Sequence, residues 1–149
     1  GTNEAMDGVS SGRVLHLGTY NGNPLVMAVA RVVLERICTR EATAAAIALN
    51  EHYLEACAGI VASHGLPAHT VQMGAKGCVT YSVAPVRNYR DYKRTDFDLA
   101  FANWIWGINR GILLPPGLDE QWLVSVLHTD ADIDRGVEVF GSFVDALVR

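Results

Sequence analysis

Apolar residues recur along this chain at helical spacing in four stretches and at strand spacing in the gaps between them. From Asn23 to Ile37 the residues Leu25, Val26, Met27, Val29, Val32, Val33, Leu34 and Ile37 are apolar almost all round, which predicts a helix buried on most sides. Asn23 is its N-cap and Pro24 its first helical residue. Thr39 caps a second helix with the stripe Ala42, Ala45, Ala46, Leu49, Tyr53, Ala56 and Ile60, stopped by Gly65 and Pro67. His69 to Val83 then predicts two short strands, Thr70–Gly74 and Cys78–Val83, around an Ala75-Lys76-Gly77 turn. A polar link, Pro85–Arg94, leads to Thr95 and Asp98, a capping box that opens a helix carrying Phe97, Leu99, Phe101, Trp104, Ile105 and Ile108 as far as Gly111. Ile112–Leu114 and Trp122–Leu127 are predicted as strands. Thr129 with Asp132 caps a last helix that repeats apolar residues at Ile133, Val137, Phe140, Val144 and Leu147. The expected class is α+β, a small, mostly antiparallel sheet with helices packed on one face.

Composition narrows the function classes more than the fold. At 149 residues the chain has enough length for one well-buried core. Its 12 Lys+Arg against 16 Asp+Glu give a net charge of −4, so it has no basic field for a nucleic acid partner. No apolar run reaches the roughly 20 residues of a membrane span, and GTNEAMDGVSSG is not a signal peptide, reading instead as a frayed helix end followed by a loop. Cys38, Cys57 and Cys78 are an odd set without CxxC spacing, which predicts neither disulfide framework nor zinc ribbon and fits a reducing, cytoplasmic setting.

The candidate chemistry begins at GTYNGNP, Gly18–Pro24. A glycine-rich turn lets backbone amides approach a ligand, the helix that follows presents unpaired N–H groups and a positive dipole end, and Thr19 adds a hydroxyl. Two readings stand side by side, a seat for a phosphate monoester and a plain strand-to-helix connection. Asp130, Asp132 and Asp134 have a calcium-like D-x-D-x-D spacing, but Arg135 stands where such a loop needs glycine and Gly141 where it needs glutamate. Cys57, His64, His69 and Cys78 do not match zinc spacings, so no metal is expected. Ser125 next to His128 reads as packing, and of Trp104 and Trp106 at least one belongs to the core.

HLGTYNGNPLVMAVA, His16–Ala30, resembles the H-x-G-T-[aromatic or Leu]-S-G-N-P-L-[AS]-M-A-A segment of class III pyridoxal-phosphate aminotransferases, glutamate-1-semialdehyde 2,1-aminomutase and its relatives in particular. NRGILLPPGLDEQWLVSVLHTDADIDR, Asn109–Arg135, resembles the same group's G-[VI]-[YLF]-[LF]-[AP]-P-S-x-[FY]-E-A-x-F-[VL]-S-x-A-H-T-x-x-D-I-D, in the same order. The resemblance implies the C-terminal part of a fold-type-I enzyme that transfers amino groups through a pyridoxal 5′-phosphate imine. Residues 1–22 would be a residual segment of the large domain with the cofactor-phosphate loop, and 23–149 the C-terminal small domain. It implies that Gly18 and Thr19 bind the cofactor phosphate across a homodimer interface, with Asn21 where the family has serine. It also implies that Glu120 faces an amino acid or keto acid substrate, although Asp119 and Gln121 depart from the residues that flank this glutamate in the family. The family's cofactor-binding lysine and pyridinium-pairing aspartate lie upstream of this stretch. Lys76 and Lys93, the two lysines here, are expected in solvent, so no catalytic residue is assigned to this chain. The alternative is a stand-alone, non-catalytic α+β module for binding or assembly.

Overall fold

The computed structural model describes residues 1–115 and 121–148. Contacts group the chain into two compact units, Gly1–Cys38 and Thr39–Arg149.

The first unit holds α1, Asn3–Ser10, capped by the Thr2 hydroxyl, and α2, Pro24–Val32, which widens into a π turn over Val33–Ile37. The expectation that this second helix is buried on most sides is corrected. None of its residues is buried; Leu25 is 74% and Leu34 69% exposed. The unit's other helix has only eight residues, none of them buried, and the apolar row of α2 is open.

The second unit is built on α3, Arg40–His64, which starts at the Thr39 cap and ends at Gly65, whose φ of 62° closes the helix in the left-handed conformation. Its buried side is Ala46, Asn50, Tyr53, Leu54, Cys57 and Val61. The predicted stripe therefore lies to one side of the true one. Leu49 and Ile60 flank the core, while Ala45 is exposed. Strands β1, His69–Met73, and β2, Lys76–Thr80, pair antiparallel with Met73 opposite Lys76. The hairpin turn is thus Gly74-Ala75, with Gly74 at φ 59°. Lys76 and Gly77, expected in the turn, belong to the strand, and β2 stops at Thr80, before Val83. Strand β3, Trp122–Leu123, pairs with the start of β2, giving the order β1-β2-β3, antiparallel throughout.

Short helix α4, Tyr89–Tyr92, sits in the polar link. Helix α5, Phe97–Ile108, is capped by Asp96, whose Oδ1 accepts from Leu99 N at 2.9 Å, and not by Thr95. The bond from Asp96 N to Tyr81 O, 2.8 Å, anchors that aspartate at the helix start. Ile112–Leu114 is not a strand. Ile112 N bonds to Gly107 O and the Leu114 carbonyl accepts from Trp104 Nε1 at 3.1 Å, so this backbone is tied to α5 instead of the sheet. The predicted strand Trp122–Leu127 is short for a similar reason: after Val124 N bonds to Ala75 O, the chain turns through Ser125–His128. Helix α6, Asp130–Leu147, begins with the predicted Thr129/Asp132 capping box and buries Ile133, Gly136, Val139, Phe140, Phe143 and Val144. The core lies where α3 packs against α6 and against the sheet, at Tyr53, Cys57, Val79, Trp122, Phe140 and Val144.

Candidate functional site

Within Gly18–Asn23 two successive turns are closed by Asn21 N to Gly18 O and Asn23 N to Tyr20 O, both 3.1 Å. Gly22 adopts φ 71°, a conformation that favours glycine. At the helix start the structure revises one part of the sequence argument. Asn23 Oδ1 accepts from Leu25 N at 3.0 Å and from Val26 N at 3.2 Å, Met27 N bonds to the Asn23 carbonyl, and Pro24 has no N–H. The first turn of α2 is therefore satisfied by its own cap, and its amides are not spare donors. The spare donors are in the loop: among the described residues, the Thr19 and Tyr20 amides and the Thr19 hydroxyl have no hydrogen-bond acceptor. Thr19 is exposed. Asn21 folds against Gly18, where an added Cβ would lie 2.6 Å from Asn21 Oδ1, and its Nδ2 donates to His16 Nε2 at 3.1 Å.

Glu120 lies outside the described residues. Lys76 is exposed at the start of β2, and Lys93 is exposed with its Nζ 6.0 Å from the Tyr89 ring centroid. Among the described residues no three His, Cys, Asp or Glu side chains gather as a metal site would require. Asp132 belongs to the capping box, where the Thr129 hydroxyl, and after it the Thr129 backbone, hold its carboxyl below the usual carboxylate range. Ser125 N and Oγ both bond to His128 Nδ1 at 2.9 Å, which makes this pair a turn lock. Trp104 and Trp106 use their indole N–H groups internally, on Leu114 O and Ser142 Oγ.

The sequence reading missed the residues on which the second unit is built. Asn50 is fully buried; its Nδ2 donates to Gly74 O at 2.8 Å and Lys76 O at 3.2 Å, and its Oδ1 accepts from Trp122 Nε1 at 2.8 Å. One amide thus joins the hairpin turn, β2, β3 and α3. Gly77 leaves room for it, since a Cβ there would lie 3.0 Å from both Leu54 Cδ1 and Trp122 Nε1. Burial pushes the Cys57 thiol up to about 12 and raises the Tyr53 hydroxyl as well, with a smaller contribution from Cys57 in the latter case. Asn50 falls on the buried side of α3, four residues after Ala46 and three before Tyr53. That spacing was the available signal for it.

No protein-family model matches the chain. In solved structures, it superposes on a β-phenylalanine aminotransferase from Variovorax paradoxus with a TM-score of 0.84 and 26% identity, covering 98% of this chain and 34% of that one. It also superposes on a glutamate-1-semialdehyde-aminomutase from Pseudomonas aeruginosa in complex with PMP, with a TM-score of 0.78 and 18% identity over 89% of this chain and 31% of that one. The α+β fold is that of the C-terminal domain of an aminotransferase. In sequence the chain is 35% identical over 144 residues to glutamate-1-semialdehyde 2,1-aminomutase of Symbiobacterium thermophilum and 30% identical over 139 residues to aminomutase 2 of Brevibacillus brevis, in both cases over 93% of its length. The chain is glutamate-1-semialdehyde 2,1-aminomutase-like and corresponds to the C-terminal part of such a protein. It spans about a third of the length of the curated relatives it matches.

Proposed function

We propose that this chain is the C-terminal part of a pyridoxal-phosphate-dependent amino-group transferase or aminomutase, and that it contributes a phosphate-holding loop to a dimeric parent protein without carrying out the chemistry itself. One observation carries this reading: the exposed Gly18–Asn23 loop presents a hydroxyl and two amides with no acceptor among the described residues. A phosphate monoester fits that donor set, because its oxygens accept from hydroxyl and backbone N–H donors alike. In this reading Thr19 donates through Oγ1 and its amide, Tyr20 through its amide, and Gly18 keeps the loop open to close approach. Asn23 contributes by capping α2, which fixes the direction in which the loop leaves the helix.

Pyridoxal 5′-phosphate, when bound, supplies the electron sink for moving an amino group. Retaining it as a catalyst takes a desolvated amine beside it. Lys76 and Lys93 are exposed, so the reading assigns that role to the part of the parent outside this chain. The segment 1–22 is read as a remnant of the large domain and 23–149 as the small domain. Glu120 is read as the carboxylate that meets the amine of an amino acid substrate. The exposed apolar row of α2 supports a larger partner, since such rows are buried when their partner is present.

The test is Thr19→Ala in the full-length parent. Losing one charge-assisted hydrogen bond weakens cofactor retention by about 1.5–3 kcal/mol. Unchanged affinity for the cofactor would remove the loop from the phosphate site.

A further inference from the structure

We infer that residues 87–94 of the second unit form a docking surface for a short acidic segment of a partner protein, one that presents several carboxylates in a row. The stretch reads RNYRDYKR and holds four of the chain's 12 Lys and Arg residues, Arg87, Arg90, Lys93 and Arg94, all of them exposed. Its single acidic residue is Asp91. It therefore carries +3 in a chain whose net charge is −4, which leaves −7 on the rest of the chain.

The fold does not use these cations. Among the described residues none of the four comes within ion-pair distance of a carboxylate, those of Asp96 and Asp98 at the start of α5 included. Asp91 serves the backbone instead. Its Oδ2 accepts from Arg87 N at 3.2 Å and from Asn88 Nδ2 at 2.9 Å, while Asn88 Oδ1 accepts from the Arg90 and Asp91 amides. This closed set of bonds fixes the turn that carries the cations. Arg94 N bonds to Asp91 O and continues the turn, so Arg90 and Arg94 stand one helical turn apart, where like charges oppose helix formation. Folding gains nothing from the four charges, which are left for a partner to neutralise.

An aromatic face lies among them. Tyr92 packs edge-on against Phe97 with ring centroids 5.1 Å apart, and Tyr89, which is 73% exposed, stacks on Tyr92 at 6.2 Å. Tyrosine and arginine are enriched among the residues that carry most of the energy of protein interfaces. Charge decides the class of occupant. An extended acidic peptide of about five residues, roughly 17 Å long, spans such a stretch and ends there. A nucleic acid strand held through its phosphates runs on over a molecule whose remaining charge is −7 and repels it.

The probes are the fluorescein-labelled peptide Glu-Glu-Tyr-Glu-Glu, its Gln-Gln-Tyr-Gln-Gln counterpart and a labelled octathymidylate, each titrated with the 149-residue chain and followed by fluorescence anisotropy. The expected result is saturable binding of the acidic peptide, none of the neutral one and weaker binding of the oligonucleotide. Replacing Arg90 and Lys93 together by glutamine should lower the affinity for the acidic peptide about ten-fold. Arg36→Gln with Arg40→Gln removes the same charge elsewhere on the chain and should change it less than about two-fold in about 0.15 M salt, where screening reaches only about 8 Å. All four substituted side chains are exposed, and far-UV circular dichroism checks that both variants stay folded. No saturation with the acidic peptide, equal binding of the neutral peptide, tighter binding of the oligonucleotide, or equal losses in the two double variants would overturn the proposal.

Discussion

Replacing Asn50 with leucine tests the physical account of the second unit most severely. Leucine has the same number of side-chain heavy atoms and the same branching, so the substitution removes hydrogen bonds without opening a cavity. It leaves the carbonyls of Gly74 and Lys76 and the indole N–H of Trp122 facing an apolar side chain. Gly74 O retains a bond from Gln72 Nε2 at 3.2 Å and Lys76 stays paired with Met73 in the β1–β2 ladder, so the main loss is at Trp122 Nε1. An orphaned buried group costs about 1–3 kcal/mol, and with the two carbonyls that each lose one bond the net loss should be about 2–4 kcal/mol. In a chain of this length that lowers Tm by roughly 5–15 °C. Urea titration followed by tryptophan fluorescence and far-UV circular dichroism measures it. Pairing Asn50→Leu with Trp122→Phe in a double-mutant cycle isolates the 2.8 Å bond, with an expected coupling of about 1 kcal/mol or more. A loss below about 1 kcal/mol for Asn50→Leu would show that the amide is not what joins turn, strands and helix.

Four further outcomes follow from the structure. Gly136→Ala pushes a methyl group to within 3.0 Å of the Tyr53 ring and oxygen, and should destabilise the chain by about 1–3 kcal/mol in denaturant titrations, the usual range for overpacking. The folded pKa of Asp132 is depressed, so its contribution is present above the unfolded value near pH 4 and lost as pH falls through the folded value; melts across that range should show the wild-type advantage over Asp132→Asn disappearing in acid. At neutral pH a thiol-alkylating reagent should modify exposed Cys38 and spare Cys57, which is buried and held as a thiol, until denaturant is added. The open apolar row of α2 should make the isolated chain associate as concentration rises, and a monomer at millimolar concentration in sedimentation would contradict its role as a contact surface.

The helices and the class of fold were legible because their signals are local. Thr39, Gly65 and the Thr129/Asp132 box mark helix ends through groups only a few residues apart. The short strands were harder to read because their limits depend on distant partners. Nothing in ILL at 112–114 announces that Ile112 N bonds to Gly107 O or that Leu114 O receives Trp104 Nε1. Likewise, the apolar pattern of α2 predicts contact but cannot say whether the contacting surface lies in the same chain. At the candidate site the loop was visible as GTYNGNP, but the helix amides counted among its donors are already taken. An N-cap asparagine occupies the helix amides, and only the geometry reveals that the loop amides are the ones left over. Asn50 escaped notice because a polar residue on an apolar stripe looks like an interruption until its three partners are known.

The central claim is that this chain holds the phosphate end of a cofactor whose lysine lies elsewhere in the parent protein. It is tested most directly by incubating the purified 149-residue chain with pyridoxal 5′-phosphate, reducing with borohydride and mapping any modified lysine by mass spectrometry. The account predicts no stoichiometric yellow absorbance and no specific fixation, because Lys76 and Lys93 are exposed and lack the desolvated setting that an imine-forming lysine needs. Stoichiometric fixation on either lysine would contradict it.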